Sequence, residues 1–275
     1  MKIAVKIKVY WPILILLFFI ASFLFRTDLS FDQDLGRHLK LGGIILRSKT
    51  IPRTNLFSYT NPDFTFINTH WLFEVFVFLT NQAVGLQLIL VLKLVIFLVS
   101  AWLVVKNVPK QNYPWLLPIG FIFAHVLRER LELRPEIFSF LFTVLTVYIL
   151  NKYTENRTKL VFLLPLIQLI WINTHIYFFV GLVLQAIFLI HLVFNNLRSH
   201  TGSGNTKLLL IILITSVCVS LLNPNGLKGL TYPLTVNQNY GYTIVENQTM
   251  FLLEKIGFSE QNFLFVKLHT KWLIF

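Results

Sequence analysis

The 275-residue sequence has few charged residues and a single cysteine, and both facts limit the kinds of protein that it can form. Charged residues make up only 13% of the chain and 55% of it is hydrophobic, whereas a soluble globular domain has about 25% charged residues. No segment has the composition of a soluble domain, so a soluble enzyme is excluded. The one cysteine, Cys218, lies inside an apolar run. A disulfide within the chain and a cysteine-based zinc site are therefore excluded as well.

Acidic residues are also scarce, which leaves a net charge of +12. The basic residues sit between apolar runs and form no single stripe interleaved with exposed aromatic residues, so nucleic acid is not the expected partner. We interpret these charges as orienting the chain in a membrane and binding phosphate.

Apolar runs long enough to cross a membrane recur along nearly the whole chain. A hydrocarbon core of about 30 Å needs roughly 17–25 helical residues. The first run follows Lys2, Lys6 and Lys8 and is not followed by a convincing cleavage site, so it is predicted to be a retained signal anchor with the amino terminus in the cytoplasm. The predicted spans are residues 9–25, 86–105, 115–127, 137–151, 160–173, 177–194 and 208–222.

Residues 71–82 form an ambiguous apolar segment, because about 12 residues are too few for a full crossing. Whether they cross the membrane decides the topology of everything that follows them. If they cross, the short basic loops near residues 106–110 and 152–159 lie outside, against the positive-inside tendency. We therefore expect residues 71–82 to lie at the interface, with Phe73 among the anchoring aromatic residues and Glu74 in contact with water. The chain then divides into a signal anchor (1–25), an external loop (26–85), a six-helix core (86–222) and an external segment leading into a further helix (223–275). That last helix looks cut short.

The polar stretch "FDQDLGRHLKLGG", residues 31–43, directly follows the first apolar run. Ser30 and Gln33 have capping-box spacing and leucines recur at helical intervals, which predicts an amphipathic helix on the membrane surface. On such a helix Asp34, Arg37 and His38 share a face. The alternative is that the acids favour the positive end of the helix dipole while the basic residues meet lipid headgroups.

Five segments together resemble a known family. In order, "DQDLGRHLKLGGIILRSKTIPRTNLFSYT", "FINTHWLFEVFVFL", "RPEIFSFLFTVLTVYIL", "LIWINTHIYFFVGL" and "NPNGLKGLTYPL" resemble a bacterial integral-membrane group of the GT-C glycosyltransferase superfamily, similar to dolichyl-phosphate-mannose mannosyltransferases. The resemblance implies an all-α, polytopic transmembrane helical bundle with amphipathic juxtamembrane helices in a long first external loop. It also implies transfer of a sugar from a polyprenyl-phosphate donor on the outer face of the cytoplasmic membrane.

Catalytic positions follow from the resemblance residue by residue. The Asp-x-Asp element of the first external loop falls on Asp32 and Asp34, and the acid after the Arg-Pro pair falls on Glu136. Asp34 is the preferred general base, because the attacking hydroxyl must lose its proton as the new bond forms. The family has a further acid near Trp71, but "NTHW" contains none, so that group is missing or supplied elsewhere.

The leaving lipid phosphate needs cations, and guanidinium presents a planar fork to phosphate oxygens. The same arginines could instead extend to lipid headgroups. His175 could contact substrate or cap a tight hairpin, and Asn223 in "NPNG" could contact substrate or only form a turn. The substrate-binding candidates are Arg37, His38, His70, Arg128, Arg130, Arg134, His175 and Asn223.

Other interpretations stay open at this stage. His38 and His70 with the aspartates could hold a divalent metal, but no ligand spacing is diagnostic, so a metal is unassigned and no other cofactor is expected. A transporter would show paired acids near the bilayer midplane or an internal repeat, and neither is evident. A truncated or catalytically inactive GT-C-like protein is the main alternative. The expected partners are a lipid-linked sugar donor and membrane lipids, and whether a second polypeptide completes the protein is open.

Overall fold

The structure is a computed structural model that describes residues 11, 13–18, 21, 33–126, 133–156, 158–199 and 204–236. These residues form helices and connecting turns, and the part of the chain described contains no strand beyond an isolated bridge between Thr54 and Thr65. The predicted all-helical class is confirmed.

The α-helices are numbered in chain order. They are α1 (Gln33–Ser48), α2 (Trp71–Asn107), α3 (Tyr113–Val126), α4 (Glu136–Asn156), α5 (Leu164–Thr174), α6 (Phe179–Ser199), α7 (Gly204–Val219) and α8 (Gly226–Thr235). Short 3-10 turns at Lys110–Asn112, Lys159–Leu163 and Ile176–Phe178 lead into α3, α5 and α6.

Three helical segments in the described residues are long and apolar enough to cross a membrane, and they indicate a membrane protein. They are Leu88–Asn107, Glu136–Asn156 and Ile176–Arg198. The predicted spans 160–173 and 208–222 correspond to shorter apolar helices, Lys159–Thr174 and Asn205–Val219. The predicted span 115–127 corresponds to the 14-residue helix α3, and most of the predicted span 9–25 lies outside the described residues.

Helix α2 is bent at Gly85, where φ is 79° and ψ is 169°. Glycine adopts this conformation readily because it has no Cβ. The bend separates a short apolar helix, Trp71–Leu86, from the span Leu88–Asn107, so the predicted segment 71–82 is helical and distinct from the span. The prediction that Glu74 meets water is wrong, because Glu74 is only 1% exposed. Phe73 is also buried and does not lie at an interface, since its ring packs edge-on against His38 of α1.

Two compact units divide the chain. The first comprises residues 1–29, 109–132 and 234–275. Its described part contains α3, and the side chain of Leu16 lies so close to Gly120 that a Cβ there would overlap it. Ile13, Tyr113 and Leu116 are buried with Leu16.

The second unit, residues 30–108 and 133–233, has polar contacts at its two ends. At one end Trp71 Nε1 donates to Asn173 Oδ1 over 2.7 Å and Asn173 Nδ2 donates to the Leu222 carbonyl over 3.2 Å. This end, called the histidine end below, joins the start of α2 to the ends of α5 and α7. At the opposite end, the asparagine end, Asn151 Nδ2 donates to Asn107 Oδ1 over 2.8 Å, and the Tyr153 hydroxyl donates to the Asn205 carbonyl over 2.8 Å.

Helix direction follows from these contacts. Helices α2, α4 and α6 run from the histidine end to the asparagine end, and α5 and α7 run back. The core between α4, α5, α6 and α7 is built around Trp171, Tyr153 and Phe178. Gly181 packs tightly here, because an added Cβ would come within 2.6 Å of Gln168 Oε1. Small residues allow such close helix packing where lipid supplies little driving force for association.

Candidate functional site

Helix α1 carries three of the candidate residues predicted from the sequence, and they do not lie on the same side of the helix. Its apolar residues Leu35, Leu41 and Ile45 are buried. His38 is buried on the same side and only 2% exposed. Asp34 and Arg37 lie outside and form an ion pair of 3.6 Å, with their side chains 48% and 44% exposed. The three residues predicted to share a face are therefore an exposed pair and a buried imidazole.

The carboxyl group beside His38 belongs to Glu74 of α2. His38 Nδ1 lies 3.3 Å from Glu74 Oε1, and Asn68 Nδ2 donates to Glu74 Oε2 over 2.7 Å. Asn68 in turn accepts the His70 backbone N–H at Oδ1 over 2.9 Å. Both carboxyl oxygens of Glu74 are thus engaged.

Two further histidines adjoin His38. The ring centroids of His38 and His70 are 6.0 Å apart, and those of His70 and His175 are 5.4 Å apart. Burial, followed by the positive charge that His175, His38 and Arg37 would add, holds the pKa of His70 well below its usual value of 6.5, although part of the residue still meets solvent. Burial, with a smaller effect of His38, lowers the pKa of His175 to about 3. The imidazoles of His70 and His175 are therefore neutral at pH 7.

His175 is fixed from α4 and α5. Trp171 Nε1 donates to Ser139 Oγ over 2.8 Å, and Ser139 Oγ lies 2.7 Å from His175 Nδ1. The Ser139 hydroxyl therefore joins Trp171 to the His175 ring, and the direction of the Ser139–His175 bond follows the tautomer of His175. We call His38, His70, His175, Glu74 and Ser139 the histidine cluster; it joins α1, α2, α4 and the start of α6.

Of the remaining candidates except Asn223, two lie near the start of α4 and three fall outside the described residues. Glu136 is the first residue of α4, one helical turn before Ser139, and its Oε1 atom is closed off from solvent. Arg134 lies two residues before it and is partly exposed. Asp32, Arg128 and Arg130 lie outside the described residues.

The side chain of Asn223 forms its hydrogen bonds within its own turn. Its Nδ2 donates to the Ser220 and Gly226 carbonyls over 2.9 and 2.8 Å, and its Oδ1 accepts the Asn225 N–H over 2.9 Å. These bonds favour the turn interpretation of "NPNG" and leave no donor for a substrate.

Sequence reasoning missed Glu74, Asn68, Ser139 and Asn173. Glu74 had a signal, because an ionisable residue inside an apolar run is costly and is by default a functional candidate. It also supplies an acid three residues after Trp71, where "NTHW" has none. Ser139 and Asn173 had no comparable signal, since single polar residues in apolar helices are common.

No group of three or more histidine, cysteine or acidic residues among those described is arranged to hold a metal ion. The histidine cluster therefore gives no support to the metal that the sequence left unassigned. Comparison of the chain with models of protein families, with curated proteins and with solved structures finds no match.

Proposed function

We propose that this protein is a membrane glycosyltransferase of the GT-C type, a polytopic helical bundle that transfers a sugar from a polyprenyl-phosphate donor to an acceptor on the outer face of the cytoplasmic membrane. The observation that supports this proposal is the convergence of separate polar segments. His38, His70, Glu74, Ser139 and His175 come from distant parts of the sequence and meet at one end of a unit that contains three membrane-spanning candidates.

Charge supports an outward-facing histidine end. The short connections at the asparagine end carry a clear excess of basic residues over the single acid Glu155, and short cytoplasmic loops are enriched in lysine and arginine. These basic residues are Lys106, Lys152, Lys159, Arg198 and Lys207. With the asparagine end inside, the amino terminus is also cytoplasmic and the loop around α1 is external.

The transfer reaction assigns roles to the exposed pair on α1. The acceptor hydroxyl oxygen forms a bond to the anomeric carbon, the bond from that carbon to the phosphate oxygen breaks, and the electron pair stays on the lipid phosphate. Asp34 takes the hydroxyl proton. Its half-exposed position at the surface of α1 lets substrate reach it, which the buried Glu74 does not allow in this conformation.

Arg37 and Arg134 are the described residues proposed to hold the lipid phosphate. Arg37 is within 3.6 Å of Asp34, so a phosphate bound by its guanidinium lies beside the proposed base. A charge-assisted, bidentate pair of this kind is stronger than a neutral hydrogen bond. The negative charge that develops on the leaving phosphate is stabilised at the same place.

The decisive experiment uses the purified full chain in lipid nanodiscs. Radiolabelled polyprenyl-phosphate sugars are supplied with a mixture of hydrophilic acceptors, and both labelled product and released polyprenyl phosphate are measured. Transfer that depends on Asp34 supports the proposal. A protein that binds no polyprenyl-phosphate sugar favours the catalytically inactive alternative.

A further inference from the structure

Helices α1 and α2 cross at Glu74 with their backbones in direct contact. A Cβ added at Gly42 would overlap the Glu74 carbonyl group and come within 2.8 Å of the Phe78 Cβ, and one added at Gly43 would come within 2.8 Å of the Phe78 ring. Two glycines therefore set how closely α1 approaches α2. These glycines, with the buried Leu35, Leu41 and Ile45, also determine which side of α1 faces the interior.

Within these limits the rotation of α1 is set more narrowly by a polar contact one turn before Gly42. His38 Nδ1 lies 3.3 Å from Glu74 Oε1, and both side chains are buried. Asn68 holds the other carboxyl oxygen of Glu74 over 2.7 Å. Because hydrogen bonds weaken steeply away from their preferred direction, and because a buried polar group is costly to leave unmatched, this arrangement permits a narrow range of rotation.

The rotation of α1 also determines where its exposed side chains point. Arg37 adjoins His38, and Asp34 is four residues before it, so both side chains point in directions set by the rotation that His38 fixes. Other titratable groups surround this contact from several elements: the Arg37 guanidinium on α1 and the neutral imidazoles of His70 before α2 and His175 before α6.

We infer that Glu74, acting through His38, is a positioning residue that orients α1 and thereby aims Asp34 and Arg37 at the substrate. The consequence for catalysis rests on the proposed transferase function, whereas the orientation of α1 does not. Asn68 fixes Glu74, and Gly42 and Gly43 let α1 come close enough for the contact.

The orientation is measured directly with spin labels on the full chain in nanodiscs. One label is placed at Gly36→Cys on α1, where an added Cβ has open space, and the other on the native, exposed Cys218 of α7. The distance distribution should be narrow in the parent protein. It should shift or broaden in Glu74→Gln and in His38→Gln, while Ser216→Ala, which removes a buried hydrogen bond between α7 and α6, should leave it unchanged.

Activity is measured on the same variants. Glu74→Gln should lower kcat about 10–100-fold, because a misplacement on the order of 1 Å can cost this much. The double variant with His38→Gln should fall no further than the weaker single variant, since both changes break one contact. Because kcat is counted per folded molecule, simple loss of folded protein would leave it at the parent value.

An unshifted distance in both Glu74→Gln and His38→Gln overturns the inference, whatever happens to activity. A shifted distance with unchanged kcat also overturns it, because the orientation then serves no catalytic residue. If the parent protein transfers no sugar, the proposed function fails, and the distance measurement still decides whether Glu74 orients α1. Should Glu74→Gln not fold, Glu74→Asp, which shortens the side chain and keeps the acid, takes its place.

Discussion

Asp34 and Glu74 are two acids in contrasting surroundings, and their difference defines the chemistry of the site. Asp34 is half exposed beside Arg37, while Glu74 is buried between His38 and Asn68. An exposed carboxylate can meet a substrate hydroxyl. A buried one with both oxygens engaged holds structure instead.

Replacing Asp34 by Asn tests the proposed base. The amide keeps the shape of the side chain but cannot accept the hydroxyl proton, so turnover should fall by at least ~10², with expression nearly unchanged. Asp63→Asn, at an exposed acid in the connection between α1 and α2, is the matched control and should leave turnover as it is. Product release is measured from radiolabelled donor. Equal rates for the parent protein and Asp34→Asn would show that another group takes the proton.

The sequence predicted part of the site, and the reason for its limits is physical. His38, His70 and His175 are among the substrate-binding candidates that the sequence predicts, and the structure brings their rings together. The partner of His38 was not predicted, because helical spacing shows only neighbours on the same helix. The contact with Glu74 spans 36 residues of sequence and depends on how α1 crosses α2, which two glycines determine.

Two of the three glycines of helix α1, Gly36 and Gly42, have contrasting surroundings, and they provide a matched pair of substitutions. Gly36 has open space around it, so Gly36→Ala should stabilise the protein by about 0.5–1 kcal/mol through the better helix propensity of alanine. Gly42 touches the Glu74 backbone, so Gly42→Ala should destabilise it by about 1–3 kcal/mol, the usual cost of overpacking. Thermal unfolding in detergent measures both. Similar effects of the two substitutions would contradict the close crossing of α1 and α2.

The folded protein should lose stability in acid, because the folded structure lowers the pKa of two residues of the histidine cluster. The folded protein lowers the pKa of His175 to about 3 and that of His70 well below 6.5, so the unfolded chain binds protons between these values that the folded chain does not. Stability is therefore fully present above about pH 6.5 and is lost as pH falls below it, by up to about 1.4 kcal/mol per pH unit for each histidine.

Unfolding temperatures between pH 7.5 and 5 measure this loss. His175→Gln removes one of the two titrating rings and should flatten the pH dependence. His191→Gln changes an exposed histidine outside the cluster and should leave the dependence unchanged. An equally steep loss in His175→Gln would remove His175 as a source of the acid sensitivity.

At the scale of the whole molecule, the sequence predicted where apolar helices lie better than which of them are long enough to span a membrane. Hydrophobic runs located all three membrane-spanning candidates, because apolar composition over about 20 residues is a strong signal. The runs at 160–173 and 208–222 also form apolar helices, Lys159–Thr174 and Asn205–Val219, but these are shorter than the three membrane-spanning candidates. Their ends depend on local features that hydropathy does not register, such as the turn built by Asn223 and the extended backbone at His175.

The orientation of the molecule in the membrane is the prediction on which the proposed function depends most. Single cysteines at Ser48, at the end of α1, and at Glu155, near the asparagine end, are introduced into a Cys218→Ser background and probed with an impermeant thiol reagent on intact cells. If the histidine end faces outward, the cysteine at position 48 should react and the one at position 155 should react only after the cells are opened. The reverse pattern would place the histidine cluster in the cytoplasm, where polyprenyl-phosphate sugars would have to be used on the inner leaflet, and it would refute an outer-face transferase.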